Sequence, residues 1–294
     1  METLTATGAA EPTLDAYVAV AKPRGILPHF LTAAAAMFLG AGGVPPLSTM
    51  ALTLLGGGLV AAAANTLNSI LDRDIDALMA RTRNRPLPSG RITPNQALGF
   101  ALIAGLAGTV LLAGIANMGA VILAIIALGY YVLPYTLWLK RRTYWSAVVG
   151  SAIGAIPPFI GWIVVTSRLG PTPFLLAAII ILWTLPHFWA LAIFRRGDYA
   201  RAGLTMLPET GTVIWIMVCS SLLVAASLVL AKVAGLGPIY TAVACLSGAG
   251  LLYLTLRLRR RQGFRPARQL YAYSILYIAV LFGAMILDRM IQGI

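Results

Sequence analysis

Nine apolar runs, each long enough to cross a lipid bilayer, limit what this chain can become. A spanning helix needs about 20 apolar residues, and runs of that kind begin near Ile26, Leu47, Gln96, Ala120, Tyr144, Pro173, Val213, Pro238 and Tyr271. Over 294 residues, 59% are hydrophobic and only 11% are charged, against about 25% charged in soluble domains. The sequence therefore predicts an all-α polytopic membrane protein of about nine transmembrane helices. Residues 1–294 read as a single domain.

The formal charge of +13 raises nucleic acid as a partner, but its distribution argues for topology instead. If the helices alternate in direction, only Arg168, Lys232 and Arg289 fall on one side, and all other basic residues fall on the opposite side. The positive-inside rule then puts residues 1–25, the N-terminal segment, and the charged loops in the cytoplasm, with the C-terminus on the outer side. A basic face that attracts acidic lipid or phosphate is a secondary reading. The first 25 residues contain acids and no long apolar core, unlike a signal or transit peptide; a bacterial inner membrane is the expected location. Cys219 and Cys245 both lie in apolar runs, so neither a disulfide nor a metal role is expected of them.

Two inner loops have room for chemistry: residues 71–95 and 194–211. Both follow even-numbered helices, so they should open on one face and together cap a central cavity. At residues 150–162, "GSAIGAIPPFIGW" places Gly150 and Gly154 four apart, a pattern that permits close helix approach. Pro157 and Pro158 should then kink or break that span.

The segment "NSILDRDIDALMARTRNRP" interrupts this apolar background with charge of both signs. On a helix Asn68, Asp72 and Asp76 are spaced i, i+4, i+8 and share one face over about 12 Å, whereas Asp74 points elsewhere. Stacked carboxylates repel unless a cation sits among them, and such oxygen-rich sites suit Mg²⁺ shared with substrate phosphates. Arg81 and Arg85 follow closely, and guanidinium groups pair with phosphate through parallel hydrogen bonds. A metal-bound polyphosphate matches both halves. The alternative is a solvated loop whose charges pair with one another; Asn65 and Asn68, already inside the apolar run, favour a site.

These residues bear a resemblance to a known family. "NSILDRDIDALMARTRNRPLPSGRI" at 68–92 is similar to the Asn-x-x-x-Asp-x-x-x-Asp signature of the UbiA prenyltransferase superfamily, and more closely to its haem-farnesylating branch. "AKPRG" at 21–25, "YTLWLKRRT" at 135–143, "GAIPPFIGW" at 154–162 and "WTLPHFWALAIFRRGDYARAGLTMLP" at 183–208 resemble the same branch in order and spacing. Ala202 stands where other branches carry a further acid, while "TYWS" at 143–146 and Glu209 depart from the pattern.

The resemblance implies that Asn68, Asp72 and Asp76 hold Mg²⁺ and diphosphate, and that Arg81, Arg85, Lys140, Lys22 and Arg24 bind the diphosphate. It adds Asp198 as a catalytic residue of a second polar motif, with Tyr199 beside it. The implied substrates are farnesyl diphosphate and haem b. The implied setting is a lipid bilayer, with haem-handling membrane proteins as further partners and no nucleic acid. His187, a lone histidine in an apolar run, leaves packing and haem contact open; the resemblance groups it with Tyr199 against the haem. His29 reads as structural. Trp183, Phe188 and Trp189 read as core or interfacial residues before any role in lining a prenyl channel. Two competing readings are a prenyltransferase for an aromatic or quinone precursor and an anion transporter.

Overall fold

A computed structural model describes residues 12–114, 118–208 and 210–293. Residues 1–11 of the N-terminal segment and Glu209 of the second loop lie outside this set. Helices are α1 (Leu14–Ala21), α2 (Pro23–Ala41), α3 (Leu47–Leu71), α4 (Arg73–Leu78), α5 (Pro94–Gly114), α6 (Met118–Tyr130), α7 (Ser146–Gly154), α8 (Ile156–Thr166), α9 (Pro171–Phe194), α10 (Arg196–Arg201), α11 (Thr212–Val233), α12 (Pro238–Arg260) and α13 (Phe264–Gln292). There is no strand among the described residues. Nine helical segments among them are long and apolar enough to cross a membrane. Eight begin within two or three residues of the expected positions. The ninth begins at Phe264 rather than near Tyr271, because its first two turns carry Arg265 and Arg268 and are helical without being apolar.

Helices α2, α3, α6, α7 with α8, α9 and α13 close a ring, each packing on the next. They enclose a cavity of about 670 Å³. Helices α5, α11 and α12 support the ring from outside. Small residues set the tightest crossings. A Cβ on Gly161 of α8 would lie 2.2 Å from the Ala33 carbonyl oxygen of α2, and one on Gly108 of α5 would lie 2.5 Å from the Gly56 oxygen of α3. In hydrocarbon this close packing replaces the hydrophobic effect as the force between helices.

Two irregular segments shape the cavity. The fifth span breaks after Gly154, and α8 restarts with Pro157 and Pro158 in its first turn, where a missing N–H costs least. Gly150 and Gly154 both border the cavity. Gly150 makes room for the Tyr135 ring, 2.5 Å from where its Cβ would lie, rather than for a helix backbone. The fourth span ends as a π-helix, Tyr131–Leu139, around Pro134. Its wider turn is closed by Lys140 N–H donating to the Tyr135 carbonyl at 2.9 Å, five residues back. Cys219 is buried and Cys245 exposed, and both are free.

Gly161→Ala should lower stability by about 1–3 kcal/mol through overpacking. Gly99→Ala, which meets nothing within 4 Å, should gain about 0.5–1 kcal/mol of helix preference. Thermal unfolding of the two variants in detergent checks the contrast in sign.

Candidate active site

The chain bends at Asp72, which ends α3 and begins α4, yet the helical hydrogen bonds continue. Asp72 N–H donates to the Asn68 carbonyl at 2.9 Å, and Asp76 N–H to the Asp72 carbonyl at 2.8 Å. Asn68, Asp72 and Asp76 thus stay on one face, and their exposures are 4%, 2% and 2%. Asp74 points out and accepts two 2.7 Å hydrogen bonds from Arg141. Arg141 also donates to the Leu71 carbonyl at the end of α3, fastening the segment after the π-helix to the bend. Its guanidinium holds the Asp74 carboxyl below the usual range.

Cations surround the inward face. Lys140 pairs with Asp72 Oδ2, and Arg85 pairs with Asp76 Oδ2 at 2.8 Å. Lys22 Nζ donates to Asn68 Oδ1 at 2.8 Å. The amide of Asn68 donates to Asp72 Oδ2 at 2.7 Å and to Thr136 Oγ1 at 3.1 Å. Lys22 sits between α1 and α2 in the left-handed region, at φ 54°, a conformation a lysine adopts only where the surroundings require it. Burial, then the charge of Arg85, brings its ammonium down to about 7. An arriving anion would favour the protonated form.

Asp72 Oδ1 is buried and has no hydrogen-bond partner among the described residues. An unpartnered carboxylate oxygen is costly in such a place, and it suits a hard divalent cation. No cluster of three His, Cys, Asp or Glu side chains is present among those residues. Mg²⁺ needs none, since it is commonly held by one or two carboxylates together with substrate phosphates. Asn68, Asp72 and Asp76 therefore fit that ion.

The second loop closes over the first. Ile75 and Met79 bury against Tyr199, Ala202, Leu204 and Met206, so the two loops do cap the same end of the bundle. Ala202 lies inside this apolar contact. Arg81 reaches across, its guanidinium 5.7 Å from the Tyr199 ring centre and 3.4 Å from the hydroxyl. Burial pushes the Tyr199 hydroxyl above its ordinary pKa, with Arg81 opposing. Asp198 is buried but is held by Arg201 and, at 3.7 Å, Arg195. It makes no hydrogen bond to the Asp72 and Asp76 group.

Behind the charged face lies the cavity. Asn65, one turn below Asn68, borders it, as do Arg24, Tyr131 and Tyr135. Arg24 forms no ion pair among the described residues. Both histidines of the chain also line this cavity, so His29 is placed on the wall and not only between helices. Trp183 and Phe188 line it too, while Trp189 is buried in the core. Among the described residues no direct contact joins His187 to Tyr199, although Tyr271, which packs on His187, lies within electrostatic reach of Tyr199. Tyr199 instead borders a separate groove of about 960 Å³ between the second loop and the α12–α13 turn.

Thr136, Tyr131, Tyr135 and Arg141 were not among the expected site residues. The first three reach the site because of the π-helix, whose register hydropathy does not encode. For Arg141 a signal was present in the basic run 140–142, without an indication that this residue would pair with the outward Asp74.

An acidic face with surplus cations at the mouth of an apolar cavity suits a molecule with a diphosphate head and a hydrocarbon tail. Residues 29–284 match the UbiA prenyltransferase family, and the chain belongs to it. The relatives narrow this further. A protein from Symbiobacterium thermophilum called protoheme IX farnesyltransferase is 43% identical, over 92% of this chain and 93% of its own. One of the same name from Synechococcus elongatus is 46% identical, over 94% and 88%. Among solved structures, one described as digeranylgeranylglyceryl phosphate synthase superposes with a TM-score of 0.78 at 18% identity, covering 94% of this chain and 98% of that one. A UbiA homologue from Archaeoglobus fulgidus bound to GPP and Mg²⁺ gives 0.61 at 17%, covering 92% and 99%.

Asp72→Asn should reduce prenyl transfer by at least about 10²–10³-fold. Asp74→Ala, on the outward face, should keep near-normal turnover and lose at most about 1 kcal/mol of stability. Radiolabelled prenyl transfer in membranes measures the first, and detergent unfolding the second.

Proposed function

We propose that the chain transfers the farnesyl group of farnesyl diphosphate to a vinyl group of haem b, with water added, giving haem O and free diphosphate. The observation that carries this reading is the buried, cation-rich carboxylate face opening on an apolar cavity, together with relatives that bear this activity in their names. Asn68, Asp72 and Asp76 would hold Mg²⁺, which when bound offsets negative charge on the diphosphate.

Lys140, Lys22, Arg85 and Arg81 bind the diphosphate, with Arg24 at the cavity rim. Their charge is aimed at the oxygen that gains an electron pair as the C–O bond to the farnesyl carbon breaks. The vinyl group attacks the allylic cation, forming a C–C bond and leaving a cation next to the porphyrin ring. Water captures that second cation and gives up a proton, which leaves a hydroxyethylfarnesyl chain. The order matters, because water reaching the first cation would waste the substrate. Tyr131, Tyr135, Trp183 and the packed cap loops keep the cavity apolar until transfer has occurred. Asp198 fixes Arg195 and Arg201 within the second loop and so holds Tyr199 against Arg81.

The excess of basic residues on the loop-bearing side supports an orientation with residues 1–25 and both caps in the cytoplasm, in a bacterial inner membrane. Haem-handling membrane proteins are the partners that would deliver haem b and receive the product.

Membranes containing the chain, supplied with haem b, farnesyl diphosphate and Mg²⁺, should form a haem heavier by one farnesyl group and one water. Chelation by EDTA should abolish the product and added Mg²⁺ restore it. An unchanged haem together with a prenylated quinone precursor would instead assign the chain to another branch of the family. Mass spectrometry of extracted pigments distinguishes the outcomes.

A further inference from the structure

The groove beside Tyr199 is not used in the reaction proposed above. It holds about 960 Å³ at the loop-bearing end, where α9 and α12 finish and α11 and α13 begin. One wall is the second cap loop, and the other is the turn between α12 and α13. It lies on the side of the outer supports α11 and α12, and it shares no lining residue with the central cavity.

Its charge is one-sided. The two segments it lies between, residues 194–211 and 257–268, carry nine arginines against two acids, Asp198 and Glu209. Asp198 is already engaged by Arg195 and Arg201. Arg196, which borders the groove, is exposed and forms no ion pair among the described residues. Helices α11 and α13 start behind Gly211 and Gly263, which offer no side chain to cap them, so two positive helix ends add to the arginines. Thr205, Thr210 and Gln262 bring neutral hydrogen-bonding groups to the same walls. Such walls attract an anion.

The rest of the groove is apolar. Ile193, Val213 and Leu258 border it from three helices long enough to span a membrane. Ile214 and Phe264, which also border it, are 61% and 56% exposed. Trp215, in the first turn of α11, is 52% exposed, and tryptophan favours the depth at which lipid headgroups lie. A free phosphate or an acidic peptide would leave these apolar side chains uncovered. An anionic phospholipid covers both parts, with its phosphate against the arginines and the start of its acyl chains along α11 and Phe264.

We propose that this groove binds one anionic phospholipid, its headgroup at Arg196, and that the lipid joins the second cap loop to the α12–α13 turn. The full chain in detergent is loaded with phosphatidylglycerol or phosphatidylcholine, and bound lipid is counted by native mass spectrometry. One phosphatidylglycerol should survive washing, and phosphatidylcholine should not. A photoactivatable phosphatidylglycerol should label residues 258–264 and the start of α11. Arg196→Gln should weaken retention about fivefold. Ala200→Trp, which fills the groove and removes no charge, should abolish it. Arg142→Gln, which takes a charge from another exposed part of the loop-bearing end, should change nothing. Bound phosphatidylglycerol should also slow hydrogen exchange of residues 204–208 in the wild type and not in Ala200→Trp. Equal retention of both lipids, labelling elsewhere, or equal loss in Arg196→Gln and Arg142→Gln would reduce the effect to diffuse attraction by a basic surface and overturn the site. Displacement of the lipid by an equal concentration of haem b would overturn it in favour of a porphyrin. Retention with unchanged hydrogen exchange would overturn the link between loop and turn.

Discussion

Asp72 and Asp76 can be buried at the end of an apolar bundle only because cations are buried with them. A carboxylate taken out of water without a partner would cost several kcal/mol, so the positions of Lys140, Arg85 and Lys22 are conditions for the fold as much as parts of a site. Each comes from a different element: Lys22 from the α1–α2 junction, Lys140 from the end of the π-helix and Arg85 from the first cap loop. The charge cluster therefore ties together three segments, adding to the apolar contacts that α1 and α2 make with the first cap loop and α3. It also leaves the site short of negative charge. Two carboxylates face Lys140 and Arg85, with Lys22, its ammonium lowered to about 7, and Arg81 beyond, and one oxygen of Asp72 has no partner among the described residues. A diphosphate with its metal ion supplies what is missing on both counts.

The cavity depends on departures from regular helix. A straight fourth span would carry Thr136 and Lys140 in a different register, and the hydrogen bond from Asn68 to Thr136 would be lost. The break between α7 and α8 similarly lets one half of the fifth span pack on α9 while the other packs on α2. Both departures occur at prolines, and in a membrane they are tolerated only where neighbouring helices enclose the irregular backbone.

Much of this was legible in the sequence, and for an identifiable reason. Hydropathy reports length and burial in lipid directly, so the nine spans and their order could be read, as could the pairing of the two loops on one face. The i, i+4, i+8 spacing of Asn68, Asp72 and Asp76 survives the bend at Asp72 because the helical hydrogen bonds run through it. The partners of these residues were harder to see. Lys22 and Lys140 lie 46 and 68 residues away from the groups they touch, and only resemblance connected them. Tyr199 and His187, which the resemblance groups together, sit on the cap and on the cavity wall, with Tyr271 packed on His187 and within electrostatic reach of Tyr199.

The far end of the bundle bears on whether the cavity serves catalysis or transport. An anion transporter must open toward the opposite side of the membrane, and there the helices are stitched together. Asp288 of α13 is 2% exposed and accepts from the Gly237 N–H that begins α12, an N-terminal cap that uses one of that helix's free donors. Arg289 donates to the Ala234 carbonyl at the end of α11. Gly293 packs against Gly43 beyond the end of α2, where a Cβ would lie 3.1 Å from the neighbouring Cα. The two polar bonds hold α13 to its outer supports α11 and α12, and the Gly293–Gly43 contact joins it to the end of α2 within the ring. At the loop-bearing end the two caps meet, among the described residues, through apolar side chains and the Arg81–Tyr199 contact, above the ion pairs of Asp72 and Asp76. The charges lie at the loop-bearing end, so a substrate with an anionic head and an apolar tail would enter and leave on that side. One-sided access of that kind suits prenyl transfer better than transport.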